Sequence, residues 1–281
     1  MGRALALGRR RLCRGRPLAL RARGAALTLG VAALAGGAGL ALDLAAGHLG
    51  IVGVLLQAVV LKTTLALRGL GEAAERVAAA LDRGELATAR AALSRDLVSR
   101  RTDDLAAGQV ASAAVESVAE NLTDGFVAPL GFFLLLGLPG ALVYRAINTA
   151  DAMLGYREGP LEEFGKVAAR LDDLLNLVPA RWSACAIVLA APFAGGDARG
   201  ALRVMRRDHR RTASPNAGWT MAAMAGGLGV ALEKPAAYRL GDGALPTAAH
   251  VRRSVRIVMR ASALTAAVVA ALVTVIFISR S

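Results

Sequence analysis

Long apolar runs separated by polar segments dominate the pattern of this sequence. A membrane-spanning helix needs roughly 20 mainly apolar residues, and four or five of the uncharged runs are long enough. The runs cover residues 24–42, 44–61, 125–144, 182–196, 212–232 and 261–279. This pattern predicts an all-α, polytopic helical membrane protein with about four to six membrane-embedded helices, one of them broken or re-entrant.

The basic amino end orients the predicted helices. The first 23 residues contain eight arginines and no acid, and positively charged flanks of membrane helices stay in the cytoplasm. Because the apolar run that follows is longer than the core of a secretory signal, we expect a retained first helix and a multi-pass protein of the cell membrane.

We predict one integral membrane domain over residues 1–281. Its predicted parts are a basic segment 1–23, a transmembrane hairpin 24–67, a cytoplasmic helical segment 68–124, a broken apolar hairpin with polar helices 125–181, and C-terminal membrane helices 182–281.

Composition argues against several functions. The formal charge is +13, but the basic residues flank apolar runs and lack interleaved aromatics, so nucleic acid is not an expected partner. The two cysteines form no CxxC pair, and the three histidines show no metal-ligand spacing. No Walker A sequence, Rossmann fingerprint or nucleophile elbow occurs. The charge instead suits a lipid bilayer and anionic substrates.

Three carboxylates recur every four residues at Glu116, Glu120 and Asp124. On a helix this spacing places them along one side, where like charges cost about 0.2–0.5 kcal/mol per pair. No Lys or Arg occurs between Arg101 and Arg145 to offset them. The pattern indicates either a solvated helix face or a site for an external cation.

A strong turn signal interrupts the apolar run that follows. Gly137-Leu138-Pro139-Gly140 stands in the middle of what would otherwise be one span. Two structures fit: a kinked crossing, or two half-helices that dip into the membrane and return. We favour the second, in which protein buries the irregular backbone.

Residues 145–181 are rich in polar groups at helical spacing. Surface ion pairing explains any one of them, but explains poorly a group that lies between apolar segments and contains Asn and Asp. The spaced residues are Arg145, Asn148, Asp151, Lys166, Arg170, Asp172 and Asn176. Pro179 is predicted to end the last helix of this group.

A helix start is predicted at Ser214-Pro215-Asn216, after the basic segment 199–211. It is either a simple cap or an anion site formed by the exposed backbone amides. The glycines of Gly226-Gly227-Leu228-Gly229 lie in an apolar run and predict close helix packing.

Four polar stretches follow one another in a fixed order within residues 90–240. They are E-S-V-A-E-N-L-T-D-G-F-V-A-P-L from Glu116, Y-R-A-I-N-T-A-D-A-M-L-G-Y from Tyr144, F-G-K-V-A-A-R-L-D-D-L-L-N-L-V-P-A-R from Phe164, and S-P-N-A-G-W-T-M-A-A-M-A-G-G-L-G-V from Ser214. Together they closely resemble the CobD/CbiB family of cobalamin-biosynthesis membrane proteins. Arg95-Asp96 also stands where that family has an Arg-Asp pair.

The resemblance has departures. Family members usually begin with a further apolar segment and a His-Pro-Val motif before Met-Gly-Arg, whereas this sequence starts at Met1-Gly2-Arg3. We expect either a misassigned start or a shortened protein. Ala150 and Ala152 replace residues that are larger or hydroxylated in the family.

The resemblance implies an ATP-dependent acid–amine ligase of the adenosylcobinamide-phosphate synthase type. Its substrates would be adenosylcobyric acid and (R)-1-amino-2-propanol or its phosphate, with ATP as co-substrate and Mg²⁺ as cofactor. The active site would face the cytoplasm. The protein would act as a homo-oligomer or in a membrane complex with other corrinoid enzymes.

The resemblance also points to individual residues. We expect the metal ligands and the catalytic base among Glu116, Glu120, Asp124, Asp151, Asp172 and Asp173, with Mg²⁺ on Glu116, Glu120 and Asp124. We expect contacts to substrate or phosphate from Arg95, Asn121, Asn148, Lys166, Arg170, Asn176, Arg181, Ser214 and Asn216.

Two other classes of function fit a polytopic protein. A transporter would use intramembrane polar residues as a solute path, but it predicts paired, repeat-related broken helices, and the sequence shows no internal repeat. A non-catalytic membrane sensor on the same scaffold would not need the full set of acidic motifs.

Overall fold

Helices form almost all of the regular structure in the computed structural model, which describes residues 1–156 and 158–278. The chain forms two compact units, each built from two separate stretches. The first unit comprises residues 1–65 and 124–177, and the second comprises residues 66–123 and 178–281. The integral membrane domain predicted over residues 1–281 stays a prediction.

The first unit is built on two long helices. Its helices are α1 Gly2–Leu12, α2 Pro17–Gly47, α3 Ile51–Thr64, α7 Ala128–Leu154, α8 Leu161–Phe164 and α9 Lys166–Leu175. The core lies where α2, α7 and α9 pack together, and it combines five alanines with larger side chains such as Leu5, Leu20, Leu154 and Phe164. Small side chains let these helices approach closely, which is typical of helix packing in membranes.

Helix α7 reverses direction at Gly137. This residue has φ +67° and ψ −156°, a left-handed conformation that glycine adopts without a steric cost. The rings of Phe132 and Tyr144 stack with centroids 5.3 Å apart, whereas twelve residues of straight helix would separate them by about 18 Å. Residues 128–136 and 138–154 are therefore two half-helices folded back on each other, the arrangement we favoured from the sequence.

A carboxylate from α2 caps the second half-helix. Oδ2 of Asp43 accepts from the backbone N–H of Leu138 at 3.0 Å, and Oδ1 accepts from Nε2 of Gln57 at 3.0 Å. The first backbone N–H groups of a helix have no partner within the helix, so this acid satisfies one of them where the chain reverses. Asp43 thus joins α2, α3 and the half-helix hairpin.

We expect Asp43→Ala to destabilise the first unit by about 1–2 kcal/mol, because it removes the cap and leaves Gln57 without its acceptor. Asp43→Asn keeps an oxygen for the Leu138 N–H and should cost less. Thermal unfolding of the purified protein in detergent measures both. Equal melting temperatures for Asp43→Ala and the wild type would exclude the capping role.

The second unit contains seven α-helices of the described chain, one short 3₁₀ helix and one β-hairpin. The helices are α4 Leu67–Asp82, α5 Leu86–Asp96, α6 Ala107–Leu122, α10 Leu177–Ala190, α11 Ala198–Asp208, α12 Ala217–Leu228 and α13 Ala248–Ile278. Helix α6 packs against α4 and α13. Every residue from Val110 to Ala119 is buried. A solvated face on this part of the helix is therefore excluded.

Glycines bring α11 and α12 together. A Cβ on Gly226 would overlap the backbone of Gly200, and a Cβ on Gly200 would lie 2.7 Å from the carbonyl oxygen of Gly226. The predicted close packing at this glycine-rich run is confirmed.

The hairpin is an element that the all-α prediction did not include. Strands β1 Ala231–Lys234 and β2 Tyr238–Gly241 pair antiparallel, with Leu232 opposite Leu240. The turn places Ala236 at φ +58°, which is uncommon for a residue other than glycine. Buried Asp208 of α11 anchors this hairpin by accepting from the N–H of Gly241 at 2.8 Å.

Within residues 1–156 and 158–278, four segments are long and apolar enough to cross a membrane, which agrees with the predicted number. They are Pro17–Gly47, Ile51–Asp82, Ala107–Leu154 and Ala248–Val275, and Lys166–Leu175 with Leu177–Ala190 would make a fifth if taken together. Large apolar side chains on α2 and α3 are exposed, including Leu34 at 75% and Ile51 at 72%. Apolar surface of this extent marks an interaction with lipid or protein.

Candidate active site

Carboxylate and amide side chains gather where α7 and α9 pack together in the first unit. Nδ2 of Asn176 donates to Oδ1 of Asp124 at 3.2 Å and to Oδ2 of Asp172 at 3.0 Å. The Tyr144 hydroxyl donates to Oδ1 of Asn176 at 3.0 Å and lies 3.3 Å from Oδ1 of Asp124. One buried amide thus holds two carboxylates side by side.

Asn148 extends this group on the side of α7. Its Nδ2 donates to Oδ1 of Asp172 at 3.1 Å, and its Oδ1 accepts from Arg145 at 3.4 Å. Asp124, Tyr144, Asn148, Asp172 and Asn176 are called the carboxylate–amide cluster below. Asn148 of α7 therefore faces α9.

Asp151 lies one turn further along α7. Its carboxylate is close enough to Asp172 and Asp173 for their charges to interact. Lys166 and Arg170, also predicted as site residues, lie on α9, where Lys166 pairs with Glu163 at 3.3 Å and Arg170 is exposed. These two side chains are not part of the cluster.

The backbone at both ends of the cluster differs from the sequence prediction. Helix α6 ends at Leu122, and a π-helical turn, Thr123–Val127, follows and holds Asp124. Glu116, Glu120 and Asp124 therefore do not share one regular helix, and the first two belong to the second unit. Such π turns are frequent at functional sites.

Pro179 does not end the helix that carries Asp172. Helix α9 ends at Leu175, Asn176 stands between the helices, and Pro179 lies in the first turn of α10. Proline is tolerated there because the first N–H groups of a helix lack intrahelical partners. The earlier break leaves the Asn176 side chain at the helix end, where it reaches both carboxylates.

The cluster has a donor set that fits a hard cation. In the described part of the chain, no Lys or Arg forms an ion pair with Asp124, Asp151 or Asp172. Mg²⁺ prefers oxygen ligands and often takes only one or two protein carboxylates, with waters and phosphates completing its shell. The described residues contain no group of three His, Cys, Asp or Glu side chains arranged for a metal. The candidate cation ligands in the first unit are thus the two carboxylates of Asp124 and Asp172.

Glu116 has a different environment in the second unit. It is 5% exposed; Oε1 accepts from the Ser112 hydroxyl at 2.9 Å and Oε2 accepts from the Tyr238 hydroxyl at 3.0 Å. Burial, together with the charges of Glu116 and Glu120, raises the pKa of Tyr238, so this phenol keeps its proton and donates. Glu116 thereby ties α6 to the β-hairpin.

Asn121 also makes bonds within α6. Its Nδ2 donates to the carbonyl oxygen of Ser117 at 2.9 Å, and the Ser117 hydroxyl donates to the carbonyl oxygen of Leu97 at 2.9 Å. Glu120 lies one turn after Glu116 and is partly buried.

Arg95 is held by its neighbour in sequence. Nε and Nη2 of Arg95 both bond the Asp96 carboxylate at 2.9 Å, and Nη2 of Arg76 bonds Oδ2 of Asp96 at 2.9 Å. The Arg95 hydrogen bonds, joined by those of Arg76, lower the pKa of Asp96 to about 2.

This low pKa gives a pH dependence with a defined sign. Because the pKa is depressed in the folded state, the Asp96 carboxylate stabilises the protein above its ordinary pKa of about 3.9. The stabilisation is lost as the pH falls from about 4 through the folded-state value of about 2. We expect Asp96→Asn to flatten the fall in melting temperature across this range. An unchanged acid profile would contradict the assignment.

The structure places Arg181 beside Asn216 and Ser214, which the sequence marked separately as phosphate-binding candidates; that role stays a prediction. Nη1 of Arg181 donates to Oδ1 of Asn216 at 2.7 Å, and its guanidinium lies over the Trp219 ring, 4.9 Å from the centroid. The Ser214 hydroxyl accepts from the N–H of Asn216 at 3.2 Å, just before α12. The N-cap of α12 is Asn216, two residues after the serine predicted to cap it, and the Ser214 hydroxyl also accepts from the N–H of Ala217 at 3.4 Å. An anion site at this helix start stays a prediction.

Sequence reasoning missed three side chains of these sites. Tyr144 stands at the end of an apolar run, so it fitted a core position, while Trp219 lies within a matched motif without a charge to mark it. Tyr238 is 122 residues from Glu116, and no local signal relates them.

The described chain is thus a polytopic helical protein with a carboxylate–amide cluster in one unit and buried acid and arginine sites in the other. The family model described as CobD/Cbib protein matches residues 1–276. The chain belongs to this family.

Curated relatives agree with this assignment. The chain is 48% identical over 205 residues to "Cobalamin biosynthesis protein CobD" of Dehalococcoides mccartyi, which covers 73% of this chain and 66% of the relative. It is 46% identical to "Probable cobalamin biosynthesis protein CobD" of Methanothermobacter thermautotrophicus, over 67% of this chain and 63% of the relative. It is 44% identical to "Cobalamin biosynthesis protein CobD" of Geobacter metallireducens, over 82% of this chain and 74% of the relative.

The matches span roughly two thirds of the length of these relatives, from 63 to 74%. No solved structure matches the chain.

Proposed function

We propose that this protein acts in cobalamin biosynthesis as an ATP-dependent ligase that forms an amide. Its substrates are adenosylcobyric acid, through a free propionate carboxylate, and (R)-1-amino-2-propanol or its phosphate. The product is adenosylcobinamide or its phosphate. Membership of the CobD/Cbib family and the names of the curated relatives support the pathway. The observation that carries the site is the pair Asp124 and Asp172 held by Asn176.

The reaction needs an activated acid. At neutral pH a carboxylate and an amine form a salt and not an amide. Attack of the carboxylate oxygen on the γ-phosphorus of ATP forms an acyl phosphate and releases ADP. The amine then attacks the acyl carbon, loses a proton to a base, and expels inorganic phosphate. A site for these steps must bind phosphates, exclude water and accept one proton.

The carboxylate–amide cluster fits the metal requirement of such a site. Asp124 and Asp172 would hold Mg²⁺, with Asn148 and Asn176 fixing the orientation of the carboxylates. When bound, Mg²⁺ neutralises phosphate charge. Tyr144 donates to Asn176 and so keeps its amide turned toward both acids. Asp151, whose carboxylate is near enough to Asp172 for their charges to interact, is our candidate for the base.

The Arg181 site would hold a phosphate group of a substrate. Asn216 and Trp219 fix the guanidinium from two sides, so little side-chain freedom is lost when an anion binds. The Ser214 hydroxyl accepts from the N–H groups of Asn216 and Ala217 and so orders the start of α12 beside Arg181.

A reconstituted assay tests the proposal against its alternatives. Purified full chain in lipid vesicles receives ATP, Mg²⁺, adenosylcobyric acid and the aminopropanol phosphate. We expect ADP and the amide to appear together, and only when both organic substrates are present. Solute uptake without nucleotide use would indicate a transporter. Binding of the corrinoid without either reaction would indicate a sensor.

A further inference from the structure

A cleft of about 710 Å³ opens in the second unit, and none of the residues assigned above to metal or base lines it. One wall is a face of α5 that includes Arg90 and Arg95, and the other is the loop that follows, with Arg100, Arg101 and Asp103. Ligand pockets in proteins occupy about 300–1,000 Å³, so the cleft has room for a small organic anion.

The cleft carries a net positive charge, since four arginines and one aspartate line it. Asp103 pairs with Arg101 at 3.3 Å. The Arg100 guanidinium has its nearest described carboxylate oxygen, Oε2 of Glu116, at 3.9 Å, which is beyond hydrogen-bond distance. Arg100 therefore retains donors for a ligand.

Hydrogen bonds fix the walls of the cleft. The Thr102 hydroxyl donates to the carbonyl oxygen of Arg90 at 3.0 Å, and Nε of Arg90 donates to the carbonyl oxygen of Leu105 at 2.8 Å. Ser117 of α6 holds the loop at the carbonyl oxygen of Leu97. The loop is thus tied to α5 and α6 before any ligand binds, which lowers the entropy cost of binding.

The location and chemistry of the cleft favour a water-soluble phosphate chain. Its lining residues lie between Ala87 and Asp103, outside the segments that could cross a membrane. Guanidinium groups match phosphate oxygens through paired N–H donors. Several arginines in one cleft match the several charges of a polyphosphate better than the single charge of a carboxylate.

We propose that this cleft binds the phosphate chain of a nucleoside triphosphate. The inference rests on the proposed function, because that reaction consumes a nucleoside triphosphate. It also assigns roles to Arg90, Arg100 and Arg101, which the sequence did not single out.

Binding measured apart from turnover tests this inference. The purified full chain in a neutral detergent is titrated with ATP and, separately, with inorganic tripolyphosphate by calorimetry. The cleft variant is Arg100→Gln/Arg101→Gln, whose side chains make no described hydrogen bond to the backbone. The matched control is Arg68→Gln/Arg83→Gln, which removes two exposed charges of the same unit outside the cleft.

We expect the cleft variant to bind both probes about tenfold or more weakly, because charge-assisted hydrogen bonds are lost. The control should remain within about twofold of the wild type. Equal affinity of the cleft variant and the wild type, or no binding of either probe to the wild type, would overturn the inference. A third outcome would also overturn it: the cleft variant binds tripolyphosphate as the wild type does but no longer binds phosphatidylglycerol vesicles. The site would then recognise lipid headgroups.

The same samples separate this inference from the proposed function. If the cleft variant forms the amide and its ATP affinity is unchanged, the cleft is not the nucleotide site, while the ligase proposal stands. The opposite result is also possible: the cleft variant binds ATP more weakly, but the wild type forms no amide from both organic substrates. In that case the cleft is a nucleotide site and the ligase proposal is wrong.

Discussion

Asp172→Asn should lower the rate of amide formation by about a hundredfold to a thousandfold, because it removes one of the two carboxylates that Asn176 holds together. The side chain keeps its shape and one acceptor oxygen, so the protein should still fold. The loss should be smaller at high Mg²⁺ concentration, since a weakened metal site can be refilled by mass action.

Turnover measured across a series of Mg²⁺ concentrations checks this prediction. Glu162→Gln is the matched control, because it removes an exposed carboxylate of the same unit on α8. Melting temperatures of both variants show whether folding is intact. If the rate of Asp172→Asn stays within about threefold of the wild type at all Mg²⁺ concentrations, Asp172 is not part of the active site.

Gly24→Ala should destabilise the first unit by about 3 kcal/mol or more. A Cβ at this position of α2 would overlap the backbone carbonyl of Phe164, which cannot rotate away as a side chain would. Accommodating the methyl group requires α2 and α8 to separate, which costs packing contacts along the core.

The same helix provides a control. A methyl group added at Gly30 of α2 would meet no atom within 4 Å and would point from an exposed face, so Gly30→Ala should be neutral or stabilising by up to about 1 kcal/mol. Thermal unfolding in detergent compares the two. Similar melting temperatures for both variants would mean that α2 and α8 do not approach as closely as described.

The sequence predicted the helical class well because membrane helices leave a direct signal. Runs of about 20 apolar residues mark the spans, and the glycines and proline from Gly137 to Gly140 mark the reversal. The fold-back itself depends on contacts that are distant in sequence, such as the cap from Asp43 to Leu138. A local pattern can show that a helix breaks, but not which side chain fixes the new direction.

The sequence predicted which residue types form the candidate site, but it predicted only part of their arrangement in space. Asn148, Asp172 and Asn176 stood out because polar residues at helical spacing are unusual between apolar segments, and the structure brings all three together. The prediction that Glu116, Glu120 and Asp124 share one regular helix was wrong, because α6 ends at Leu122 and a π-helical turn holds Asp124. Their role as metal ligands stays a prediction. A π turn needs one inserted residue and has no clear sequence signature.

Arg100 and Tyr238 show a second limit. Both approach Glu116, one from a loop and one from the β-hairpin, and neither lies in a periodic pattern. Their positions follow from tertiary packing. Residues of this kind can be assigned only when the structure shows what they face.

We propose that ATP activates the corrinoid carboxylate by forming an acyl phosphate. The most direct measurement uses adenosylcobyric acid labelled with ¹⁸O in its free carboxylate, together with ATP, Mg²⁺, the aminopropanol phosphate and the wild-type protein. We predict that one ¹⁸O atom appears in inorganic phosphate for each amide formed, because the carboxylate oxygen that attacks ATP leaves with the phosphate. Amide formation with unlabelled phosphate would contradict this account.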